Sequence, residues 1–190
     1  MHIAILTFQG FNELDSLVAL GVLNRVKKPG WRVTLHATAS LADASAAEAV
    51  IVGSGIRTRE IAADPAILSA LRLDPARQLI GAQCSGTLLL AKMGILGDVP
   101  ACTDLTTKPW VQEAGVRVLD QPFYAAGNVA TAGGCLASPY LAAWVIARTE
   151  GLDAAAAALH YVAPVGEKET YVAQALRNLT PYLESARASG

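Results

Sequence analysis

The sequence predicts a three-layer α/β sandwich in which helices cover both faces of a mostly parallel β-sheet. Short apolar segments alternate with segments whose apolar residues recur at helical spacing, and this alternation is typical of such a sheet. The composition agrees, because 53% of the 190 residues are hydrophobic and only 16% are charged, which is enough to bury a large core. The length fits a single domain, and we predict one that spans residues 1–190.

The predicted elements follow one another in βα order. The first strand, residues 3–7, ends in a polar turn and is followed by a helix that extends to Lys27 and Lys28. Asp64 and Pro65 supply an N-cap and a first-turn proline for a later helix that runs to Arg72. Further strands are predicted at residues 32–37, 49–52, 78–82 and 129–131, and further helices at residues 85–93 and 139–148. Alanine-rich helical sequence fills most of the rest.

Charge and cysteine usage exclude several classes of protein. The chain has fifteen Lys and Arg residues and sixteen Asp and Glu residues, so it lacks the basic excess that nucleic-acid binding requires. The longest apolar stretches, such as residues 141–147, are too short to span a bilayer, and no basic signal-peptide region precedes the first strand. Three widely spaced cysteines, Cys84, Cys102 and Cys135, suit a reducing compartment. We therefore expect a cytoplasmic protein without a nucleic-acid or membrane partner.

The strongest chemical signal is a cysteine between a predicted strand and a predicted helix. Ligands of parallel sheets bind beyond the carboxyl ends of the strands, which nominates residues 9–15, 53–55, 83–86 and 132–135. Cys84 has small residues two positions before and two positions after it, which is the spacing of a nucleophile elbow. A helix N-terminus behind the thiol predicts a lowered thiol pKa. The alternative is a buried structural cysteine.

Several motifs in the same order resemble those of a known family. They are residues 6–11 leading to Glu13-Leu14-Asp15, the elbow Cys84-Ser85-Gly86 followed by Gly94-Ile95-Leu96, and residues 127–134. Together they resemble the ThiJ/PfpI superfamily, also called the DJ-1 superfamily. The resemblance is nearest to the isocyanide hydratase-like branch and to the amidotransferase-like domains of some bacterial regulators. It implies a flavodoxin-like, class I glutamine-amidotransferase-like sandwich and a homodimer.

The resemblance also implies roles for individual residues. Asp15 matches the acid partner of the cysteine, although an aspartate there also suits an N-cap or the first turn of a helix. Gly55 matches a glycine whose backbone amide, together with that of Ser85, stabilises developing charge. Ser54 stands where relatives usually have glycine, and a plain turn remains an alternative for this segment. Ser54 and the loop with Gly133 and Gly134 are expected to line the pocket.

Two departures from the resembled pattern limit the function. Asp104 occupies the apparent position of a histidine, and a carboxylate there opposes thiolate formation, so a Cys-His protease is improbable. Asp104 is nevertheless a candidate catalytic acid. Cys135 either lines the pocket or packs as a small hydrophobe, and Cys102 is expected to pack. His160 is expected at the surface, and the histidines and acids show no metal-ligand spacing, so no metal is predicted.

The resemblance implies cysteine-dependent addition of water to a small electrophilic molecule, with hydration of an isocyanide to an N-formamide as the reference reaction. In that scheme Cys84 attacks carbon, Asp15 relays the proton, and no cofactor takes part. A small-molecule hydrolase is a close variant. One alternative is a redox-responsive stress protein in which Cys84 is oxidised. Another is a stand-alone ligand-binding module related to the amidotransferase-like regulators.

Overall fold

The structure, a computed structural model, describes residues 1–36 and 41–183. Within these ranges the chain forms one six-stranded sheet with the strand order β2-β1-β3-β4-β6-β5. All neighbouring strands are parallel except β5 and β6, which are antiparallel. The strands are β1 (His2–Leu6), β2 (Arg32–His36), β3 (Ala49–Val52), β4 (Leu79–Gln83), β5 (Phe123–Ala126) and β6 (Val129–Ala132).

Helices connect the strands and cover the sheet. In the described ranges these are α1 (Glu13–Leu23), α2 (Leu41–Ala46), α3 (Thr58–Ile61), α4 (Pro65–Ala70), α5 (Thr87–Lys92), α6 (Lys108–Glu113), α7 (Ser138–Glu150), α8 (Leu152–Val162) and α9 (Lys168–Leu179). Short 3₁₀ turns lie at Cys84–Gly86, Cys135–Ala137 and Thr180–Tyr182. None of the described helices is long and apolar enough to cross a membrane.

The sheet separates two hydrophobic cores. Alternate residues of β1 point to opposite faces: Ile3 and Ile5 pack with α1, α7, α8 and α9, whereas Ala4 and Leu6 pack with residues of α2, α5 and α6. Burial on both faces explains why the central strands have continuous apolar sequences instead of alternating ones. The predicted three-layer α/β sandwich with a mostly parallel, flavodoxin-like sheet is therefore confirmed.

The strand registers bring the functional segments together. Leu6 pairs with Val52, and Val52 pairs with Ala82, so β1, β3 and β4 end at the same level. Gln83, the last residue of β4, pairs with Ala132, the last residue of β6. The four segments that follow these strands consequently meet at one edge of the sheet, as parallel topology requires.

The main differences from the predicted elements lie around the edge strand and the elbow. The prediction contained no strand at Phe123–Ala126, which forms an antiparallel hairpin with β6. The predicted helix of residues 85–93 begins as a 3₁₀ turn and is α-helical only at Thr87–Lys92. Residue 37, the predicted end of the second strand, lies outside the described residues.

Candidate active site

Cys84 lies in a tight turn between β4 and α5. Its φ of +47° is the only positive φ of a non-glycine residue in the described ranges, and this left-handed conformation costs about 1–3 kcal/mol. The turn also depends on Gly86, because a Cβ there would lie 2.5 Å from the carbonyl oxygen of Val52. The Thr103 hydroxyl donates to the Cys84 carbonyl at 2.8 Å. The backbone thus has the strained geometry expected of a nucleophile elbow.

Asp15 lies in the first turn of α1 and is completely buried. It is not the N-cap, because the side chain of Asn12 accepts a hydrogen bond from the Leu14 amide in that role. The Ser54 hydroxyl donates to Oδ2 of Asp15. The other carboxylate oxygen, Oδ1, has no hydrogen-bond partner among the residues that the structure describes. A buried acceptor without a partner is costly, which makes Oδ1 a candidate for a functional role.

Three reactive side chains converge at the elbow. The Sγ of Cys84, a carboxylate oxygen of Asp15 and the Sγ of Cys135 all lie within 4.8 Å of one another. The two sulfurs also accept amide hydrogen bonds, Cys84 from Gln83 Nε2 at 3.4 Å and Cys135 from Asn12 Nδ2 at 3.3 Å. The structure therefore brings Asp15 to Cys84, and it places Cys135 beside them instead of in a separate packing site.

The surroundings of Cys84 keep its thiol protonated. Burial and the nearby Asp15 carboxylate raise the pKa of Cys84 well above its usual range, with smaller contributions from Cys135 and Asp104. The Gln83 amide acts in the opposite direction because it donates to the sulfur. The sequence-based prediction of a lowered thiol pKa is therefore wrong. The helix after the elbow is short, and its dipole does not outweigh desolvation and a neighbouring negative charge.

Gly55, Ser85 and Thr58 form a closed ring of hydrogen bonds beside the elbow. The Gly55 amide donates to Ser85 Oγ at 3.3 Å, Ser85 Oγ lies 2.9 Å from Thr58 Oγ1, and Thr58 Oγ1 donates to the Gly55 carbonyl at 2.7 Å. Gly55 is also tightly packed, because a Cβ there would lie 2.6 Å from the Gly10 carbonyl oxygen. The Gly55 amide that the resemblance assigns to charge stabilisation is thus directed at the Ser85 hydroxyl, and the ring fixes this wall of the site.

A cavity of about 490 Å³ opens above the elbow. Cys84, Cys135, Ser54 and Ser85 lie on its wall, together with the apolar or aromatic side chains of Phe11, Ile56 and Trp110. The guanidinium of Arg59 stacks on the Trp110 ring at 4.8 Å from its centroid and also borders the cavity. The site therefore combines a reactive cluster with a largely apolar wall.

Gly133 and Gly134 are not among the described residues that line the cavity, contrary to the sequence-based expectation. A Cβ on Gly133 would lie 2.5 Å from the carbonyl oxygen of Thr103, so this glycine allows two backbone segments to pack closely. The Gly134 carbonyl accepts a hydrogen bond from Gln83 Nε2 at 2.8 Å. From this loop, Cys135 is the residue that reaches the cavity.

Asp104 borders the cavity, but its carboxylate is also used by the backbone. Its Oδ1 accepts hydrogen bonds from the amides of Thr106 and Thr107, both at 3.0 Å, as a capping aspartate does. Asp104 thus lies on the cavity wall and also caps a turn, and its role as a catalytic acid stays a prediction. Cys102 is fully buried, and burial raises its pKa to about 12. His160 is exposed and lies 3.6 Å from Glu169, as expected of a surface histidine.

Sequence reasoning did not identify Asn12 and Gln83 as members of the site. Both side chains donate to a cysteine sulfur. A signal existed for each, because Asn12 directly precedes a predicted helix and Gln83 directly precedes the elbow cysteine. Their pairing with particular sulfurs depends on how the loops meet in three dimensions.

Comparison with solved structures places this architecture among known folds. Drosophila melanogaster DJ-1beta superposes with a TM-score of 0.71 at 18% identity, over 85% of this chain and 96% of that one. The chain has the DJ-1/ThiJ/PfpI fold. A DJ-1 superfamily protein from Salmonella typhimurium gives a TM-score of 0.70 at 24% identity, over 86% of this chain and 98% of that one. No family model and no curated protein matches the chain by sequence.

A domain of similar fold occurs within a larger protein. The chain covers 49% of a two-domain protein from Anabaena variabilis with DJ-1/ThiJ/PfpI-like and ferritin-like domains, with a TM-score of 0.69 at 17% identity over 80% of this chain. The predicted resemblance to the ThiJ/PfpI superfamily is confirmed at the level of the fold. The isocyanide hydratase-like branch remains a prediction, as do the residue roles taken from it.

Proposed function

We propose that the protein adds water to a small, apolar, electrophilic carbon, with hydration of an isocyanide to an N-formamide as the reference reaction. The observation that carries this proposal is the unpartnered Oδ1 of the buried Asp15, in a carboxylate that lies within 4.8 Å of the Cys84 sulfur. A nucleophile whose thiol is protonated at rest needs a base in contact with it when it reacts. Asp15 is the group in position to act as that base.

In the first half of the reaction the Asp15 carboxylate takes the proton of the Cys84 thiol as the sulfur attacks the isocyanide carbon. Asp15 then delivers this proton to the same carbon, which gives a thioimidate bound to Cys84. The Asp15 carboxylate is regenerated, and no charge has entered or left the site. The raised thiol pKa is compatible with this route, because the thiolate exists only while the substrate is present.

In the second half Asp15 takes a proton from water while the oxygen attacks the thioimidate carbon, and it passes the proton to the substrate nitrogen. Asp15 then receives the hydroxyl proton as the carbon–sulfur bond breaks and the formamide leaves. That proton returns to the Cys84 sulfur. The net change is addition of one water molecule to one isocyanide, with no redox step and no cofactor.

The cavity supports a small apolar substrate. Phe11, Ile56 and Trp110 supply apolar surface to the same wall on which Cys84 lies. The hydroxyl of Ser54 orients the Asp15 carboxylate and leaves its other oxygen free. Ser54, the departure from the glycine of the resembled family, thus gains a positioning role in this scheme.

Peroxide sensing at Cys84 is less well supported. Oxidation by peroxides proceeds through the thiolate, and burial and Asp15 both disfavour a resting thiolate at this position. The same electrostatics are compatible with a nucleophile that is deprotonated only within its reaction. The stress-protein alternative therefore predicts rapid oxidation of Cys84 by dilute peroxide, and the hydratase predicts slow oxidation.

The test is formamide formation from a panel of alkyl and aryl isocyanides, followed by absorbance. Wild-type protein should turn over at least one of them, and Cys84→Ala and Asp15→Asn should each lower kcat by at least about 100-fold, within the range for loss of a positioned base. Cys102→Ala is the matched control, because this thiol is buried outside the reactive cluster and the cavity wall. It should retain wild-type kcat.

Circular dichroism and the thermal midpoint of each variant separate lost chemistry from lost folding. A folded Asp15→Asn variant with undiminished kcat would overturn the proposed role of Asp15. A wild-type protein that is inactive on every isocyanide and is oxidised rapidly at Cys84 would replace the hydratase with the peroxide sensor.

A further inference from the structure

We propose that Asp15, Cys84 and Cys135 form a binding site for a thiophilic divalent cation of the Zn²⁺ class. Metal binding uses two of the residues of the proposed reaction but is a different property. The inference stands whether or not the protein is a hydratase. It rests on a cluster of three donor atoms that come from three segments of the chain, which is why no ligand spacing is visible in the sequence.

The donor atoms are close to the arrangement that a tetrahedral ion needs. Zn²⁺ binds cysteine sulfur at about 2.3 Å and carboxylate oxygen at about 2.0–2.2 Å, so two sulfur ligands of one ion lie roughly 3.8 Å apart. The three donors here lie within 4.8 Å of one another. Closing the remaining distance needs side-chain adjustments of at most about 1 Å. The side-chain amides of Gln83 and Asn12 already donate hydrogen bonds to the sulfurs of Cys84 and Cys135, respectively.

A second, independent observation points to a ligand at the same place. Asp15 is completely buried, its Oδ2 is occupied by the Ser54 hydroxyl, and its Oδ1 has no hydrogen-bond partner among the described residues. A cation would supply the missing partner of Asp15. It would also offset the negative charge of the Asp15 carboxylate and favour the thiolate forms of the two cysteines that bind it.

The outer contacts are those of a metal site. Gln83 Nε2 donates to the Cys84 sulfur and Asn12 Nδ2 donates to the Cys135 sulfur, and such donors orient sulfur ligands. Two sulfurs and one carboxylate favour a borderline ion such as Zn²⁺ over the hard ions Mg²⁺ and Ca²⁺. Two of the three ligands, Cys84 and Cys135, lie on the cavity wall, so the fourth position of the ion would be open to water or to a small anion.

Binding is balanced by proton release. Each thiol loses its proton to solvent as its sulfur binds the ion, Asp15 binds as the carboxylate, and no oxidant or reductant takes part. A bound ion would occupy both the Cys84 sulfur and the Asp15 base, so it would inhibit any reaction that uses them. The inhibition depends on the proposed function, but the binding does not.

The test is a titration of the full chain, reduced and stripped of metal, with Zn²⁺ in competition with a chromogenic chelator. A parallel titration with Cd²⁺ reads the ultraviolet sulfur-to-cadmium charge-transfer absorbance directly. We expect one ion per chain in both titrations. Cys135→Ser and Cys84→Ser should each weaken Zn²⁺ affinity by at least about 100-fold, and Asn12→Ala by about 10-fold, as expected for an outer partner of a ligand.

Cys102→Ser is the matched control and should bind with wild-type affinity and absorbance, because Cys102 lies outside the cluster of donors. Circular dichroism of the metal-free variants checks that each is folded. Equal Zn²⁺ affinity in wild type and in a folded Cys135→Ser variant would overturn the proposal, as would a cadmium absorbance that persists in Cys84→Ser. Because these readouts need no substrate, their failure is distinguishable from an absence of hydratase activity.

Discussion

Replacing Asp15 by asparagine should make Cys84 more reactive towards alkylating agents. The Asp15 carboxylate raises the pKa of the Cys84 thiol, and asparagine removes the charge while it keeps the size of the side chain. Two unit charges 4.8 Å apart, the upper limit for this pair, interact by about 3.5 kcal/mol at an effective dielectric constant of about 20. That energy corresponds to a change of about 300-fold in the equilibrium between thiol and thiolate, and the dielectric constant of water reduces the change to about fourfold.

The sign of the effect follows from the charges. Loss of a neighbouring anion favours the thiolate, so the pKa of Cys84 falls and the thiolate fraction at a fixed pH rises. Below the pKa of Cys84, the rate of alkylation is proportional to the thiolate fraction. We therefore expect this rate to rise by about fourfold to 300-fold. The same substitution is expected to abolish hydration. Unfolding would also abolish turnover and expose Cys84, but it would expose the buried Cys102 as well. Faster alkylation that is confined to Cys84 therefore separates the electrostatic effect from unfolding.

The assay is iodoacetamide labelling of the native protein at pH 8 in the presence of a chelator, with each cysteine read by peptide mass spectrometry. Cys102 is the internal reference, because burial raises its pKa to about 12 and Asp15 is not among the causes. Asp98→Asn, a neutralisation at an exposed position outside the cavity wall, is the control for net charge. Unchanged or slower labelling of Cys84 in Asp15→Asn would refute the electrostatic reasoning.

Three further predictions concern residues around the cluster. Ser54→Ala should lower kcat by about 10-fold, because Oδ2 of Asp15 loses its donor; steady-state kinetics on a folded variant test this, and unchanged kcat contradicts it. Asp104→Ala should lower the free energy of unfolding in urea by about 1 kcal/mol, because two backbone amides lose their acceptor. It should accelerate Cys84 alkylation less than Asp15→Asn does. A larger acceleration would show that Asp104 carries the dominant charge. Gly86→Ala should destabilise the protein by about 3 kcal/mol or more, whereas Gly21→Ala, with open space around it, should not; equal urea midpoints would refute this.

The order and type of the elements could be predicted because the central strands are buried on both faces. Their continuous apolar sequences, such as Ala49–Val52, alternate with helical segments and thereby specify a parallel sheet. Phe123–Ala126 was not predicted because it is a short edge strand whose partner is the adjacent strand of a hairpin. Its pairing depends on the turn between the two strands more than on its own pattern.

The candidate site could be located from the sequence, but its electrostatics could not. Residues at the ends of parallel strands meet at one edge, and this rule nominated the segments that contain Asp15 and Cys84, whereas the family resemblance singled out Asp15 as the partner of the cysteine. The direction of the Cys84 pKa depends on burial and on the distance to a carboxylate, and neither quantity is encoded in spacing. Cys135 could not be assigned to the cluster from the sequence either. Its position depends on contacts such as the one with Asn12, which lies 123 positions away in the chain.

Ser54 shows how a departure from a family pattern acquires a physical meaning once its contact is known. A glycine at this position has no hydroxyl, so it would leave both oxygens of the buried Asp15 carboxylate without the donor that Ser54 provides. With serine, Oδ2 is held and Oδ1 has no hydrogen-bond partner among the described residues, in a carboxylate that lies within 4.8 Å of both cysteine sulfurs. A held carboxylate with one free oxygen is suited both to accept a proton from Cys84 and to bind a cation together with it. Proton acceptance and cation binding exclude each other at any moment, since both need the free oxygen of Asp15. Zn²⁺ should therefore inhibit hydration, because it competes for the base, Asp15, as well as for the nucleophile, Cys84.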